Sequence, residues 1–319
     1  MKWREARGEQ AFLREEDGEL AAVNALTTFM ASRVFCNGNQ SSTVRAYVSA
    51  IQYFHKMIAG WELPTRHCML SATYKGIDRM HGKGVSENRV RKPLTIDILN
   101  AKRFDGSEPA EERVTWIGLA LSYFLLCRAS EIWAYNNGLV HAEFCLTRGD
   151  LKFFQDAVPL EGADRWKADT VEVTFKASKA DQKRQGAVVS RKRVPTGREE
   201  VQSNQATGAL ELLLELLEIF PHLGPSAPLM QTWSTRGWRV ITRNDATMTL
   251  RQLATCAGKD PMQYALHSGR IGGATKLAAQ GASPLQIQRA GRWKSQVFMT
   301  YVRAEGEGAQ FVSEALTCS

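Results

Sequence analysis

Apolar residues fall at helical intervals through most of the chain. Leu20, Val23, Leu26, Thr27 and Met30 form one such stripe, and Val44, Tyr47, Val48, Ile51 and Phe54 form a second, with Arg45 and Lys56 off it. Ser41, Ser42 and Thr43 offer N-cap oxygens for the second helix. Gly82, Gly84 and the run Arg89-Val90-Arg91-Lys92-Pro93 interrupt the pattern, because Pro93 drives its predecessor out of the α region, and a domain boundary is expected within 86–93. Thr95 can then cap a helix, and a strongly apolar helix is expected from about Arg113 to Arg128 through Val114, Ile117, Leu121, Phe124 and Leu125. Near Asp150 the period changes to two. Leu151 and Phe153, then Val171, Val173 and Phe175, alternate with polar residues, and Val188, Val189 and Val194 suggest a return strand after a basic turn at 176–187. Leu210–Phe220 reads as an amphipathic helix with Glu211, Glu215 and Glu218 on its polar side, and Thr249–Ala257, Arg270–Gln280 and Pro284–Ala290 as further helices. The expected fold is mainly α with a small antiparallel β-sheet. A helical domain at 1–92 precedes an α+β domain at 93–319.

Composition narrows the possible classes. With 44% hydrophobic and 23% charged residues in 319, the chain has material for packed cores and too little net charge for disorder. The longest apolar stretch, 117–127, is about half of the ~20 residues a membrane helix needs, and the charged N-terminus lacks the apolar segment of a signal peptide. An intracellular location is expected. Six cysteines and six histidines are dispersed, with no C-x-x-C pair, so reduced thiols are expected and no metal site. Neither G-x-x-x-x-G-K-[ST] nor G-x-G-x-x-G occurs, so no nucleotide cofactor is expected.

The net charge of +8 is unevenly placed. Residues 33–92 hold ten Lys and Arg against three acids, and residues 176–198 hold eight against Asp181 alone, so each segment carries +7 and the rest of the chain is acidic. Two concentrated basic segments suit one polyanion gripped from two sides. Arg45, Lys83, Arg91, Lys92, Lys176, Lys183 and Arg184 are the candidate contacts, which would set register on phosphates without reading bases. Arg191-Lys192-Arg193 could pass for a nuclear localisation signal, but its place in a strand region favours phosphate contact.

Late in the chain stand Leu266-His267-Ser268-Gly269-Arg270-Ile271-Gly272-Gly273, then Gly291-Arg292-Trp293-Lys294 and Tyr301, and upstream the apolar helix closes on Cys127-Arg128-Ala129-Ser130-Glu131. In this order, with a basic hairpin between the first and second elements, the set resembles the tyrosine recombinase (phage integrase) family. That family carries Arg-x-x-Glu after a buried helix, His-x-x-Arg opening another, a Gly-x-His/Trp and a tyrosine near the C-terminus. The Trp293-to-Tyr301 spacing is one residue shorter than is common there, and Tyr264 and Tyr123 are the alternative nucleophiles, though neither follows the Gly-Arg-Trp element.

The resemblance implies a C-shaped clamp on double-stranded DNA. It implies cleavage and rejoining through a 3′-phosphotyrosyl intermediate, with Holliday-junction strand exchange by four copies on two duplexes, without metal or ATP. Tyr301 would attack the phosphorus. Arg128 and Arg270 would fork onto the non-bridging oxygens, since guanidiniums stay charged at working pH and match phosphate geometry. His267, one turn before Arg270, would donate to an oxygen or take the tyrosine proton. Trp293 would donate its indole N–H while packing on the tyrosine segment, and Glu131 would orient Arg128. The resemblance implies a hairpin lysine as acid for the leaving 5′ oxygen: Lys179, with Lys176 and Lys183 as substitutes. An apolar tail, Phe311, Val312, Ala315 and Leu316, would dock on a neighbouring copy or pack on its own core. Each residue also has a plain structural reading: Arg128 with Glu131 an i, i+3 ion pair, His267 a helix cap, Trp293 a core aromatic. A type IB topoisomerase-like relaxing enzyme and a transposon-derived DNA-binding protein without activity are the rival functions.

Overall fold

The computed structural model describes residues 2–82, 91–102, 104, 107–177, 185–193 and 208–302. By contacts the chain divides into two compact units, Met1–Arg89 and Val90–Ser319.

The first unit holds helices α1 (Lys2–Glu5), α2 (Gly18–Phe35), α3 (Ser41–Ala59) and α4 (Cys68–Gly82). Its core joins Val23, Leu26, Met30 and Val34 of α2 to Val44 and Val48 of α3 and Leu70 and Ile77 of α4. Each such aliphatic side chain stabilises the fold by about 1.5–3 kcal/mol on burial. The segment before α2 is pinned from both sides: the Leu13 amide donates to His55 Nε2 (3.1 Å) and Trp61 Nε1 donates to the Leu13 carbonyl (3.0 Å). The second stripe is only partly a core stripe, because Tyr47 and Phe54 are exposed. The cap also differs from expectation. Gln40 is the extended residue that begins α3, and Ser41 already lies in its first turn, where its hydroxyl accepts from Arg45 Nε. Gly60, at φ +79°, ends the helix in the left-handed conformation glycine adopts freely.

In the second unit, α5 (Ile96–Leu99) follows Thr95, whose hydroxyl accepts from the Ile98 amide as its position suggested. The central helix α6 (Ala110–Phe124) is buried all round, packed by α8 (Ala209–Ile219), α9 (Arg243–Cys256) and α10 (His267–Ala279). Arg113, near its start, forks onto Glu215 of α8. The expected helix to Arg128 stops at Phe124: Leu126 takes φ +49° and the Cys127 amide turns back to the Ser122 carbonyl. A short helix, α7 (Ala129–Ile132), follows. Strands β1 (Leu151–Gln155), β2 (Val158–Leu160), β3 (Thr170–Phe175) and β4 (Ala187–Lys192) form an antiparallel sheet of order β2-β1-β3-β4, with Phe153 opposite Val171 and Val173 opposite Val189. A second hairpin, β5 (Gln231–Ser234) and β6 (Gly237–Val240), was not anticipated. Helix α9 starts before its expected position, at a capping box in which Thr242 and Asp245 bond reciprocally. Helix α11 (Pro284–Ala290) keeps its expected bounds, capped by Ser283. The architecture is mainly α with a small antiparallel sheet. Among the described residues no helix is long and apolar enough to cross a membrane.

Candidate active site

Two loops, one helix and the segment that ends at Tyr301 build the site. The first loop, 125–128, leaves α6; the second, 291–293, leaves α11; and α10 presents its first turn between them. Close approach of α10 depends on its glycines. A Cβ at Gly272 would strike the Leu94 carbonyl, and one at Gly273 the Tyr123 carbonyl, so the helix lies backbone-to-backbone against α6 and the chain at Leu94. That contact sinks Arg270 until no part of it is exposed.

Arg270 donates through Nη1 to the Leu126 carbonyl and through Nη2 to the Gly291 carbonyl, which ties the two loops together. Its Nε has no hydrogen-bond partner. The Trp293 ring lies over the guanidinium at 4.1 Å, and the Tyr301 ring at 5.7 Å, both within cation–π range. Burial, and then the neighbouring charges of Arg128 and Arg292, lower the Arg270 pKa to about 10. The group therefore remains a cation at neutral pH.

The Tyr301 ring is 5.0 Å from that of Trp293 and 4.9 Å from that of His267, the first residue of α10. Its backbone carbonyl accepts from Thr275 on the same helix (3.3 Å). The alternative tyrosines lie elsewhere in the core: Tyr123 and Tyr264 are both buried, and burial pushes the Tyr123 hydroxyl up to about 12.

Arg128 sits at the head of α7. Its amide donates to Glu131 Oε2 (2.7 Å) and its Nη1 to Glu131 Oε1 (2.8 Å), so the carboxylate caps the helix and grips the guanidinium at once. Glu131 is only 1% exposed. It has a second cationic partner that the motifs did not single out, Arg292, whose Nη2 lies 2.7 Å from Oε2. The signal lay in the sequence as the arginine between Gly291 and Trp293. Cys127, inside the same loop, is a thiol that burial pushes up to about 12.

The structure thus brings Tyr301, His267, Trp293 and Arg270 together, and joins Arg128 to Glu131. Lys179, Lys183, Arg184 and Lys83, like the apolar tail, lie outside the described residues. Lys176 is paired with Asp150 (3.1 Å) at the end of β3. Arg45 is half-exposed, pairs with Asp78 (2.9 Å) and stacks on Tyr74. Arg91 donates to the Met262 carbonyl, and exposed Lys92 uses its amide toward Gln263. The 191–193 run is less free than a basic strip: Arg191 donates to the Phe124 carbonyl, and Arg193 to those of Ala168 and Trp166. Among the described residues no group of His, Cys, Asp and Glu is placed to hold a metal ion.

No family model matches the sequence, and no curated protein does. Among solved structures the chain is similar to the XerH site-specific recombinase bound to a palindromic difH substrate in a post-cleavage complex. The TM-score is 0.50 and the identity 15%, over 93% of this chain and 72% of that one. It is also similar to the Tn1549 transposon integrase in complex with a circular intermediate DNA (TM-score 0.49, 12% identity, 92% and 85% covered) and to the XerA recombinase (0.44, 11%, 93% and 99%). The XerH likeness shows a shared fold, that of the tyrosine recombinases, which is the fold the motifs implied.

Proposed function

We propose that the chain is a site-specific DNA recombinase of the tyrosine type, cleaving and rejoining duplex DNA through a 3′-phosphotyrosyl intermediate and exchanging strands as four copies on two duplexes. One observation carries this reading. The Trp293 and Tyr301 rings lie over the Arg270 guanidinium, His267 packs against Tyr301, and Arg128, whose charge acts on Arg270, is held by Glu131.

In the proposed reaction the Tyr301 hydroxyl oxygen attacks the scissile phosphorus while the bond from phosphorus to the 5′ oxygen breaks. The phenolic proton passes to an acceptor, His267 by our reading, whose ring lies 4.9 Å from that of Tyr301. Arg128 and Arg270 take the charge that accumulates on the non-bridging oxygens, and Trp293 adds its indole N–H. The leaving 5′ oxygen takes a proton from a hairpin lysine, Lys179 by our reading; Lys176, engaged by Asp150, is the described substitute. Because the phosphate ester energy is retained in the phosphotyrosine, rejoining is the same step reversed. The covered position of Arg270 has a consequence: a phosphate reaches it after the Trp293 and Tyr301 rings shift off its face. The first unit would serve as the helical core-binding domain, with Arg45 among its phosphate contacts.

Tyr301→Phe tests the reading. Wild type is expected to form a denaturant-resistant adduct with nicked duplex DNA, and the variant to bind the same DNA without forming it. An adduct formed by Tyr301→Phe would sink the assignment.

A further inference from the structure

We propose that Arg292 is a positioning residue for strand cleavage, acting through the shared Glu131 carboxylate on the guanidinium of Arg128. The inference rests on the recombinase reading above.

The backbone at Arg292 is the first sign. Its φ of +58° is in the left-handed region, where glycine is at ease and a side chain is disfavoured. An arginine held there is held by what its side chain does. That side chain is 7% exposed and turned inward. Nη1 donates to the Leu125 carbonyl (2.9 Å), and Nη2 to the Leu126 carbonyl (3.3 Å) and to Glu131 (2.7 Å). The guanidinium also lies 3.5 Å from the centroid of Phe175, the last residue of β3. Arg270 lies under the Tyr301 ring, whereas Arg292 meets Glu131, so the proposal gives Arg292 no phosphate to hold.

Its influence reaches the reacting centre through Glu131. The two carboxylate oxygens divide their work: Oε1 accepts from the Arg128 guanidinium, and Oε2 accepts from the Arg128 amide and from Arg292. Arg292 therefore fixes the plane of the carboxylate, and that plane fixes the Arg128 fork. Where a catalytic group works by position, a displacement of about 1 Å can reduce rate about a hundredfold. The same guanidinium rests on Phe175, so the loop before Tyr301 is joined to the base of the hairpin that carries the candidate acid.

The test measures single-turnover cleavage of a nicked duplex whose sequence is recovered from wild-type covalent adduct. Arg292→Met is expected to cleave about thirty- to a hundredfold more slowly, with DNA affinity within about twofold of wild type. Arg292→Lys, which keeps the charge but not the fork, should fall between. The deciding substrate carries a methylphosphonate at the scissile position. It lacks the non-bridging negative charge that Arg128 would stabilise, so the gap between wild type and Arg292→Met should shrink at least tenfold. A defect of folding alone slows both substrates equally. Equal slowing on the two substrates, or wild-type cleavage of the phosphodiester by Arg292→Met, overturns the proposal. If Arg292→Met is unfolded at the assay temperature, the same substrate comparison is read on Arg292→Lys. Failure of wild type to form any adduct is a separate result, seen before any variant, and overturns the recombinase reading with all that rests on it.

Discussion

Removal of the Glu131 carboxylate is the sharpest test of how the site is held. In Glu131→Ala the guanidiniums of Arg128 and Arg292, 20% and 7% exposed, lose the anion that lies between them and face Arg270 uncompensated. Breaking a buried ion pair by deleting one partner typically costs about 3–5 kcal/mol, because the charge left behind keeps its desolvation penalty. For a unit the size of Val90–Ser319, each kcal/mol moves the melting temperature by roughly 2–4 °C, so a fall of roughly 6–20 °C is expected. The matched control is Glu62→Ala, whose pair with Lys56 (3.2 Å) is more than half exposed on both sides and should contribute about 0–1 kcal/mol. Differential scanning calorimetry of the full chain reads both variants. If Glu131→Ala melts within about 2 °C of wild type, or no lower than Glu62→Ala, the carboxylate does not hold the arginines as described.

Three further outcomes are expected. Gly272→Ala should destabilise by about 1–3 kcal/mol in urea titration, the reverse of the usual helix-interior gain, because the new Cβ meets the Leu94 carbonyl; a neutral result would mean that α10 is not packed so closely. Cys127, raised to about 12, is ionised to only about one part in ten thousand at pH 8, so iodoacetamide should label exposed Cys36, Cys68 and Cys256 and spare Cys127 until the protein unfolds, as read by mass spectrometry. The sign of the linkage follows: the folded state holds that proton more tightly, so its contribution to stability is full below the ordinary thiol pKa and is lost as pH rises toward 12. Arg45→Ala should change stability by no more than about 1 kcal/mol, since its partner Asp78 is half-exposed. Yet it should weaken DNA binding and lower the salt slope by about one unit, and an unchanged slope removes Arg45 from the contacts.

What could be read from sequence follows a physical division. Helices with one wet face, such as α8, and those with strong caps and proline starts, such as α11, declare themselves by period and by terminal residues. Helix α6 declared its existence but not its end, since a helix buried on every side has no polar face to mark where it stops. The start of α9 was hidden because Arg243, Asn244 and Asp245 give its first turn no apolar period, although Thr242 and Asp245 form a capping box. Strand β2, three residues with Pro159 at its centre, and the β5–β6 hairpin were too short for alternation to register. At the candidate site, Arg128, His267, Arg270 and Tyr301 are expectations drawn from the motif order of the family the sequence resembles, and His267, Arg270 and Tyr301 do lie in one cluster. Arg292 was not among them, because its importance arises only where loop 291–293 meets loop 125–128, a contact between positions distant in sequence.

Arg270 and Arg292 are anchored to the main chain more than to other side chains. Leu126 offers one carbonyl to both Arg270 and Arg292, with the carbonyls of Leu125 and Gly291 beside it. No exchange of side chain deletes a carbonyl, so positions 125 and 126 can drift among apolar residues while the charged scaffold they support stays in place. An alanine scan would pass over them as ordinary core. Their contribution would emerge only from chemistry that edits the backbone itself, such as an ester in place of an amide, whose weaker carbonyl acceptor would loosen both arginines at once.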